Sequence, residues 1–216
     1  MTARAVVLDL DGTLIDSRQD IAAAANAARG AVGLAPLDLV TVVGFVGDGA
    51  HKLIERLTPA GDAALRTAAM AAFTAHYCDH CCDHTRPYAG IPQALTALRA
   101  AGWRLAVATN KPEAFARTIL DHLGLIPLID AIRGGDRVRK PDPAPVIELL
   151  HQLGASPAAS WMVGDHHTDI LAGRGAGCRV AWCDWGIGDR GGLAVDASAG
   201  IPADLPRILA ADLPWR

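Results

Sequence analysis

The sequence predicts an α/β fold in which a Rossmann-like parallel sheet forms the core and helices cover both of its faces. The first observation is an apolar run near the N-terminus, residues 6–8, that ends abruptly in a polar segment. The second is the regular alternation of helical and strand patterns from residue 87 onward. Continuous apolar strands and such alternation are typical of parallel sheets with right-handed crossovers.

The polar end of the first strand is the most informative feature of the chain. Asp9 and Asp11 follow the apolar run and are themselves followed by Gly12 and Thr13. Burying a carboxylate costs roughly several kcal/mol unless a cation or hydrogen-bond donors offset it. Open α/β sheets bind ligands at the carboxyl ends of their strands, so both carboxylates are candidate functional groups. The alternative at this point is a strand followed by a capped turn.

Residues 17–86 form an alanine-rich segment, the insertion, in which helical patterns predominate. Ser17 suits a helix N-cap, and Asp20 suits the first turn of that helix. Glycines near residues 30–36 and 44–49 mark connections, after which helical patterns resume. We therefore expect an inserted four-helix cap at residues 17–86, and an α/β core formed by residues 1–16 and 87–216.

The rest of the core follows from the alternation of patterns after residue 87. The sequence predicts helices near residues 91–101, 112–123, 143–153 and 168–176, and strands near residues 104–108, 131–133, 160–163 and 179–182.

Polar clusters also accompany these later elements. Thr109 and Asn110 follow one strand, Asp165 and Asp169 follow another, and Lys140 precedes a helix. Because parallel strands end at the same edge of a sheet, these groups can converge with the first two carboxylates. The sequence therefore predicts one polar site at that edge.

The motifs DxDGT, TN, KPxP and GDxxxD occur here in this order, and together they resemble those of the haloacid-dehalogenase-like phosphohydrolases. The resemblance covers nearly the whole chain. It implies that Asp9 is a nucleophile that forms an aspartyl-phosphate, and that Asp11 is a general acid that later activates water. It also implies a Mg²⁺ cofactor held by Asp9, the carbonyl oxygen of Asp11, and Asp165.

The same resemblance implies roles for the remaining polar residues. Thr109 and Asn110 would donate hydrogen bonds to the phosphoryl group, and Lys140 would offset negative charge in the transition state. Asp169 lies one helical turn after Asp165 and is expected to orient the magnesium waters or Lys140 rather than to bind the metal. His166 departs from the family pattern, which often has Ser or Thr there.

The segment around Gly47 and Gly49 bears on substrate choice. It resembles the VGxGA segment of bacterial phosphoglycolate phosphatases, and the TNKP continuation at residues 109–112 is similar too. The implied substrate is a small carboxylated phosphate ester, 2-phosphoglycolate. Its carboxylate would bind the amides of both glycines, with Lys52 or Arg56 as the counter-charge.

Other functions remain open at this point. Relatives act on other sugar phosphates or pyrophosphate, and a β-phosphoglucomutase-like phosphomutase would use the same aspartyl-phosphate. A catalytically silent binding protein on the same fold is a third possibility, which the intact Asp9, Asp11, Lys140 and Asp165 disfavour.

Two further motifs are weaker. Residues 186–191 match GxGxxG, but the strand–turn–helix unit of a dinucleotide site near the start of the chain is missing. Residues 76–84 carry three histidines at intervals of four, with Cys78, Cys81 and Cys82 among them. Zinc sites usually draw ligands from two separated segments, so we expect a solvated helix here.

Composition limits the partners. The chain has 216 residues and a mean hydropathy of +0.22. Its net charge is −3, so its charge gives no indication that it binds nucleic acid or an anionic membrane. No apolar run approaches the roughly 20 residues of a membrane span, and no signal-peptide pattern is present. Five cysteines, an odd number, fit free thiols. We expect a cytoplasmic monomer or homodimer acting on a small-molecule phosphate ester.

Overall fold

A computed structural model describes residues 3–211 and contains nine α-helices and eight strands in that part of the chain. The strands are β1 (Ala5–Leu8), β2 (Ile15–Asp16), β3 (Arg86–Pro87), β4 (Arg104–Ala108), β5 (Ala131–Arg133), β6 (Trp161–Gly164), β7 (Arg179–Cys183) and β8 (Ala197–Ala199). The helices are α1 (Arg18–Ala31), α2 (Leu39–Val43), α3 (Ala50–Leu57), α4 (Ala63–His80), α5 (Ile91–Ala100), α6 (Glu113–His122), α7 (Ala144–Gln152), α8 (His167–Gly175) and α9 (Leu205–Leu209).

Six of the strands form one parallel sheet in the order β5-β4-β1-β6-β7-β8. Successive side chains of a strand point to opposite faces, and β1 shows this directly. Val6 and Leu8 pack in one apolar cluster with residues of α5, α6 and α9, whereas Ala5 and Val7 pack in another with residues of α7 and α8. The predicted fold class, a parallel sheet with helices on both faces, is confirmed.

The insertion contains α1 to α4 and leaves the core between β2 and β3. Alanines of α1, including Ala24 and Ala28, are fully or almost fully buried in the same apolar cluster as Phe73 and Tyr77 of α4. The two crossings between core and insertion pair as a short antiparallel ladder, β2 with β3. This ladder was not predicted from the sequence, because strands of two residues are too short to show a periodic pattern.

At the start of α1, Ser17 and Asp20 stand at the predicted N-cap and first-turn positions, but their side chains bond to residues outside the helix. Ser17 stands at the N-cap position but makes no capping hydrogen bond; its hydroxyl donates instead to Asp11 Oδ1 at 2.5 Å. Asp20 is buried and accepts hydrogen bonds from the backbone N–H groups of His84 and Thr85. Ser17 therefore links the start of α1 to Asp11 of the core, and Asp20 links α1 to the end of the insertion.

The C-terminal elements β8 and α9 were also not predicted. Strand β8 extends the sheet beyond β7, and Leu205 and Leu209 of α9 pack in the same apolar cluster as Val6 and Leu8. Within residues 3–211, no helix combines the length and the apolar character that a membrane crossing requires.

Candidate active site

The candidate site lies where the strand order of the sheet reverses. Strand β1 is flanked by β4 on one side and by β6 on the other, and the chain builds the sheet outward in both directions from it. Asp9, Thr109 and Asp165 directly follow these three strands, and Asp9 N–H donates to Val163 O at 2.9 Å. The crevice at such a switch point is the usual ligand site of open α/β sheets.

Three carboxylates and one ammonium meet in this crevice. Asp9, Asp165 and Asp169 each offer an oxygen atom, and these atoms lie within 4.8 Å of one another. Lys140 Nζ donates to Asp9 Oδ1 and to Asp169 Oδ1, each at 2.6 Å. All four side chains are buried, and their ionised forms leave an excess of negative charge.

Burial accounts for the acid–base properties of this group. It raises the pKa of Asp9 to about 7 and that of Asp165 to about 6, because a buried carboxylate loses its hydration. Burial alone would lower the pKa of Lys140, but the charges of Asp169 and Asp9 raise it above its ordinary value. A divalent cation would offset the excess charge. An oxygen-only donor set fits a hard cation.

Asp165 is held in place by backbone and side-chain donors. Thr13 Oγ1 donates to its Oδ1 at 2.8 Å, and the N–H groups of Ile187 and Gly188 donate to its Oδ2, each at 2.9 Å. A Cβ at Gly186 would lie 2.1 Å from the Asp165 Cβ, so only glycine fits there. The GxGxxG segment at residues 186–191 therefore holds the Asp165 carboxylate in place. The next element is β8, not the helix that a dinucleotide site requires.

Asn110 joins the core to the insertion. Its Oδ1 accepts from Lys140 N–H at 2.9 Å, while its Nδ2 donates to Lys140 O and Gly47 O, each at 3.0 Å. Thr109 is buried beside it, and its Oγ1 accepts from Lys111 N–H at 3.1 Å. The Asn110 side chain thus positions both the Lys140 backbone and the loop that contains Gly47 and Gly49, the glycine loop.

A second buried lysine contacts the other aspartate of the DxD pair. Lys111 Nζ donates to Asp11 Oδ1 at 2.5 Å and to the Tyr77 hydroxyl at 2.8 Å. Burial alone would lower the pKa of Lys111, but the negative charge of Asp11 and the contact with Tyr77 raise it. The Asp11 carboxylate is therefore not part of the Asp9 carboxylate group.

Lys111 and Tyr77 were not among the site residues predicted from the sequence. The signals were present: Lys111 belongs to the polar run after β4, and Tyr77 continues a four-residue spacing with Ala69 and Phe73 along one face of α4. What the sequence lacked was the direction in which each side chain points.

A cavity of about 390 Å³ separates this edge of the sheet from the insertion. Asp9, Asp11, Thr109, Asn110 and Lys111 line it on the core side. The insertion lines it mostly with apolar side chains and with the glycine loop: Ile21, Val46, Gly47, Gly49, Leu53, Met70, Phe73 and Tyr77. Its volume is in the range of small-molecule sites.

Two predicted counter-charges are not in this cavity. Lys52 is 56% exposed, pairs with Glu55 at 2.8 Å on the surface of α3, and does not line the cavity. Arg56 pairs with Asp48 at 2.5 Å and donates to Phe45 O at 2.9 Å. Lys52 and Arg56 both contact neighbouring residues within the insertion. The lysine that lines the cavity is Lys111.

The histidine- and cysteine-rich segment at residues 76–84 does not gather into a metal site in the described part of the chain. His80 pairs with Asp83 at 2.8 Å, and His84 pairs with Asp20 at 3.0 Å. Cys78 is exposed, whereas Cys81 is buried. The histidines of this segment thus pair with different carboxylates and do not share one site.

Known proteins resemble this chain over most of its length. Residues 6–183 match the family described as haloacid dehalogenase-like hydrolase. A phosphoglycolate phosphatase of Aquifex aeolicus is 36% identical over 208 residues, which cover 95% of this chain and 96% of that relative. A phosphoglycolate phosphatase of Cereibacter sphaeroides is 41% identical over 182 residues, or 82% and 83% of the two chains.

Solved structures agree with these sequence matches. The crystal structure of a predicted phosphoglycolate phosphatase from Haemophilus somnus has a TM-score of 0.88 and 29% identity, and the match covers 96% of this chain and 98% of that one.

Proposed function

Because the chain belongs to the haloacid dehalogenase-like hydrolases, we propose that it is a Mg²⁺-dependent phosphatase that cleaves a small phosphate monoester through an aspartyl-phosphate on Asp9. The family match confirms the resemblance inferred from the motifs. The observation that carries the proposal is the contact of Lys140 with Asp9, which lines the cavity together with Asp11.

In the first step, a carboxylate oxygen of Asp9 attacks phosphorus while the bond from phosphorus to the ester oxygen breaks. Asp11 donates a proton to the departing oxygen. In the second step, Asp11 takes a proton from water, whose oxygen attacks phosphorus and releases Asp9 and inorganic phosphate. Lys140 supports both steps, because its ammonium favours the ionised form of Asp9 and offsets charge on the phosphoryl oxygens.

Asp9, Asp165 and the carbonyl oxygen of Asp11 would hold the Mg²⁺ ion. When bound, it would supply positive charge to the phosphoryl oxygens and shield them from the carboxylates. The excess negative charge of the Asp9 group supports this assignment, and Asp169 would act by orienting Lys140.

Thr109 and Asn110 would contact the phosphoryl group from the end of β4. The Thr109 hydroxyl is the side-chain donor there. The Asn110 side chain is engaged with Lys140 and Gly47, so its backbone N–H is the donor we propose.

For the substrate, we propose 2-phosphoglycolate. The named relatives are phosphoglycolate phosphatases, and the cavity has room for a small ester. Lys111 is the buried cation beside Asp11, where the leaving group would lie, and it would bind the substrate carboxylate. The amides of Gly47 and Gly49 would assist it.

The division of the chain fits this chemistry. We propose that residues 1–16 and 87–216 form the catalytic core and that the insertion, residues 17–86, acts as a cap. A cap that closes over the cavity would exclude water and complete the contacts to the leaving group.

The test is a panel of phosphate compounds assayed with Mg²⁺: 2-phosphoglycolate, p-nitrophenyl phosphate, pyrophosphate and β-glucose 1-phosphate. We expect the highest kcat/KM for 2-phosphoglycolate and no turnover in EDTA. Another preferred compound would overturn the substrate assignment alone. Conversion of β-glucose 1-phosphate to its 6-phosphate without release of phosphate would indicate a mutase, and no turnover of any compound would contradict the enzymatic proposal.

A further inference from the structure

A second group of metal-binding side chains lies beside the proposed active site but is not part of it. Asp48, His166 and His167 each offer one ligand atom, and these atoms lie within 4.8 Å of one another. In residues 3–211, this group and the Asp9 group are the two clusters of three or more such side chains that are close enough to hold an ion. All three residues are half-buried, so an ion in solution can reach them.

The His166 imidazole uses one ring nitrogen at the start of α8 and leaves the other facing the insertion. Its Nδ1 accepts the Thr168 backbone N–H at 3.4 Å and lies 3.0 Å from Thr168 Oγ1. An ion bound at Nε2 would select the tautomer in which Nδ1–H donates to that hydroxyl. Nε2 lies close to the loop that carries Asp48. A Cβ atom built on Gly47, the residue before Asp48, would be 2.6 Å from Nε2. Metal-bound histidines ordinarily donate their other ring N–H to an oxygen in this way.

The other two side chains are also held in place. Asp48 Oδ2 accepts a hydrogen bond from Arg56 at 2.5 Å, which uses one of its two oxygens. His167 donates its backbone N–H to Asp189 O at 2.8 Å. The ring of His167 lies against that of His166, with centroids 4.1 Å apart. The ligand atoms are therefore gathered before any ion binds.

The chemistry of this group differs from that of the Asp9 group. Two imidazoles and one carboxylate form a typical donor set for Zn²⁺ and neighbouring divalent transition metals, whereas three carboxylates suit Mg²⁺. We propose that Asp48, His166 and His167 bind one zinc-class divalent ion with an open coordination position.

Such an ion would join two parts of the molecule. Asp48 lies in the loop before α3 of the insertion, whereas His166 and His167 lie at the start of α8 in the core. Gly47 and Gly49, on either side of Asp48, line the cavity. The bound ion therefore holds this loop against the core.

The experiment measures Zn²⁺ binding by equilibrium dialysis of the full chain in millimolar Mg²⁺, with Co²⁺ absorption spectra as a report on the ligands. We expect one Zn²⁺ per chain. His167→Ala and Asp48→Asn should each weaken binding by at least about tenfold and alter the Co²⁺ spectrum. His166 is left intact because its side chain also caps α8.

Two control variants distinguish binding at this site from binding to surface histidines and from indirect effects on Asp48. His80→Ala removes an exposed imidazole of the α4 cluster and should leave Zn²⁺ binding unchanged. Arg56→Met removes the ion pair of Asp48 without removing a ligand, and it should also retain binding. Thermal unfolding without Zn²⁺ checks that each variant is folded.

Absence of Zn²⁺ binding to the wild-type protein would overturn the proposal. So would binding that survives both ligand substitutions, or binding that His80→Ala removes. If Asp165→Asn abolishes binding while Asp48→Asn does not, the zinc lies in the Asp9 group instead. None of these readouts depends on phosphate hydrolysis, so failure of the proposed function would not affect them.

Discussion

Two buried lysines each contact one aspartate of the DxD pair, and their surroundings differ in charge and in origin. Lys140 contacts Asp9 and Asp169, and all three belong to the core. Lys111 contacts Asp11 of the core and Tyr77 of the insertion. The first lysine faces a group of three carboxylates, whereas the second is matched by one.

The different surroundings of Lys140 and Lys111 suit the two lysines to different roles. The Asp9 group has an excess of negative charge and consists of core residues alone, so it is suited to bind a cation and to perform the proposed chemistry. The Asp11–Lys111 pair is balanced in charge and contacts α4 through Tyr77, so it is suited to link the position of α4 to Asp11, the proposed proton donor. The following predictions test this separation.

Asp9→Asn should have the largest effect. It removes the proposed nucleophile and a proposed metal ligand together, so kcat for 2-phosphoglycolate should fall at least about a thousandfold. Removing one of three buried carboxylates should leave the thermal unfolding midpoint unchanged or higher. Steady-state kinetics and calorimetry measure both, with the exposed Asp121→Asn as a control. Retention of more than about a tenth of the activity would exclude Asp9 as the nucleophile.

Lys140→Met should destabilise the fold, because it leaves buried carboxylates without their cation. We expect the free energy of unfolding in urea to fall by about 3–5 kcal/mol at pH 7.5 and by less at low pH, where the carboxyl groups take up protons. Lys52→Met, on the exposed surface of α3, is the matched control. A loss below about 1 kcal/mol would mean that the Asp9 group does not depend on this charge.

Mg²⁺ should stabilise the protein more at higher pH. Without metal, the pKa of Asp9 is raised to about 7 and that of Asp165 to about 6, so the folded state binds more protons than the unfolded state. The free energy of unfolding should therefore fall as pH rises from about 4 to about 7. As proposed, Mg²⁺ would bind the ionised carboxylates, and it should then reverse this loss. Calorimetry with and without Mg²⁺ should give a larger shift in Tm at pH 7.5 than at pH 5; equal shifts would contradict the assignment.

Lys111→Met should separate binding of the leaving group from the chemistry. Loss of a charged hydrogen bond should lower kcat/KM for 2-phosphoglycolate roughly ten- to a hundredfold. The loss should be smaller for p-nitrophenyl phosphate, which lacks the carboxylate and whose leaving group needs little protonation. Lys52→Ala should change neither value. Equal losses on both substrates would assign Lys111 to positioning Asp11 alone.

Tyr77→Phe should have the smallest effect. It removes one hydrogen bond to Lys111, and the free energy of unfolding should fall by about 0.5–1.5 kcal/mol with little change in kcat for p-nitrophenyl phosphate. Tyr88→Phe is a matched control, since the Tyr88 hydroxyl has no hydrogen-bond partner within residues 3–211. Similar stability changes in the two variants would show that the contact with Lys111 contributes nothing.

Five of the six strands of the parallel sheet, and the edge at which the candidate site lies, could be predicted from local sequence pattern. The apolar runs before Asp9, Thr109 and Asp165 are continuous, and each ends in polar residues. Parallel strands share one carboxyl edge, so local pattern was sufficient to bring these positions together. Lys140 could be added because its motif occurs in order with the other three.

The contacts between the insertion and this edge could not be predicted in the same way. The direction of a side chain in a loop or on a helix depends on how separate elements pack, and local pattern does not contain that information. Ser17 was expected to cap α1, but it bonds Asp11. Lys52 was expected in the cavity, but Lys111 lies there, held by Tyr77 from a helix 34 positions earlier in the chain. Contacts between such distant residues arise from packing alone.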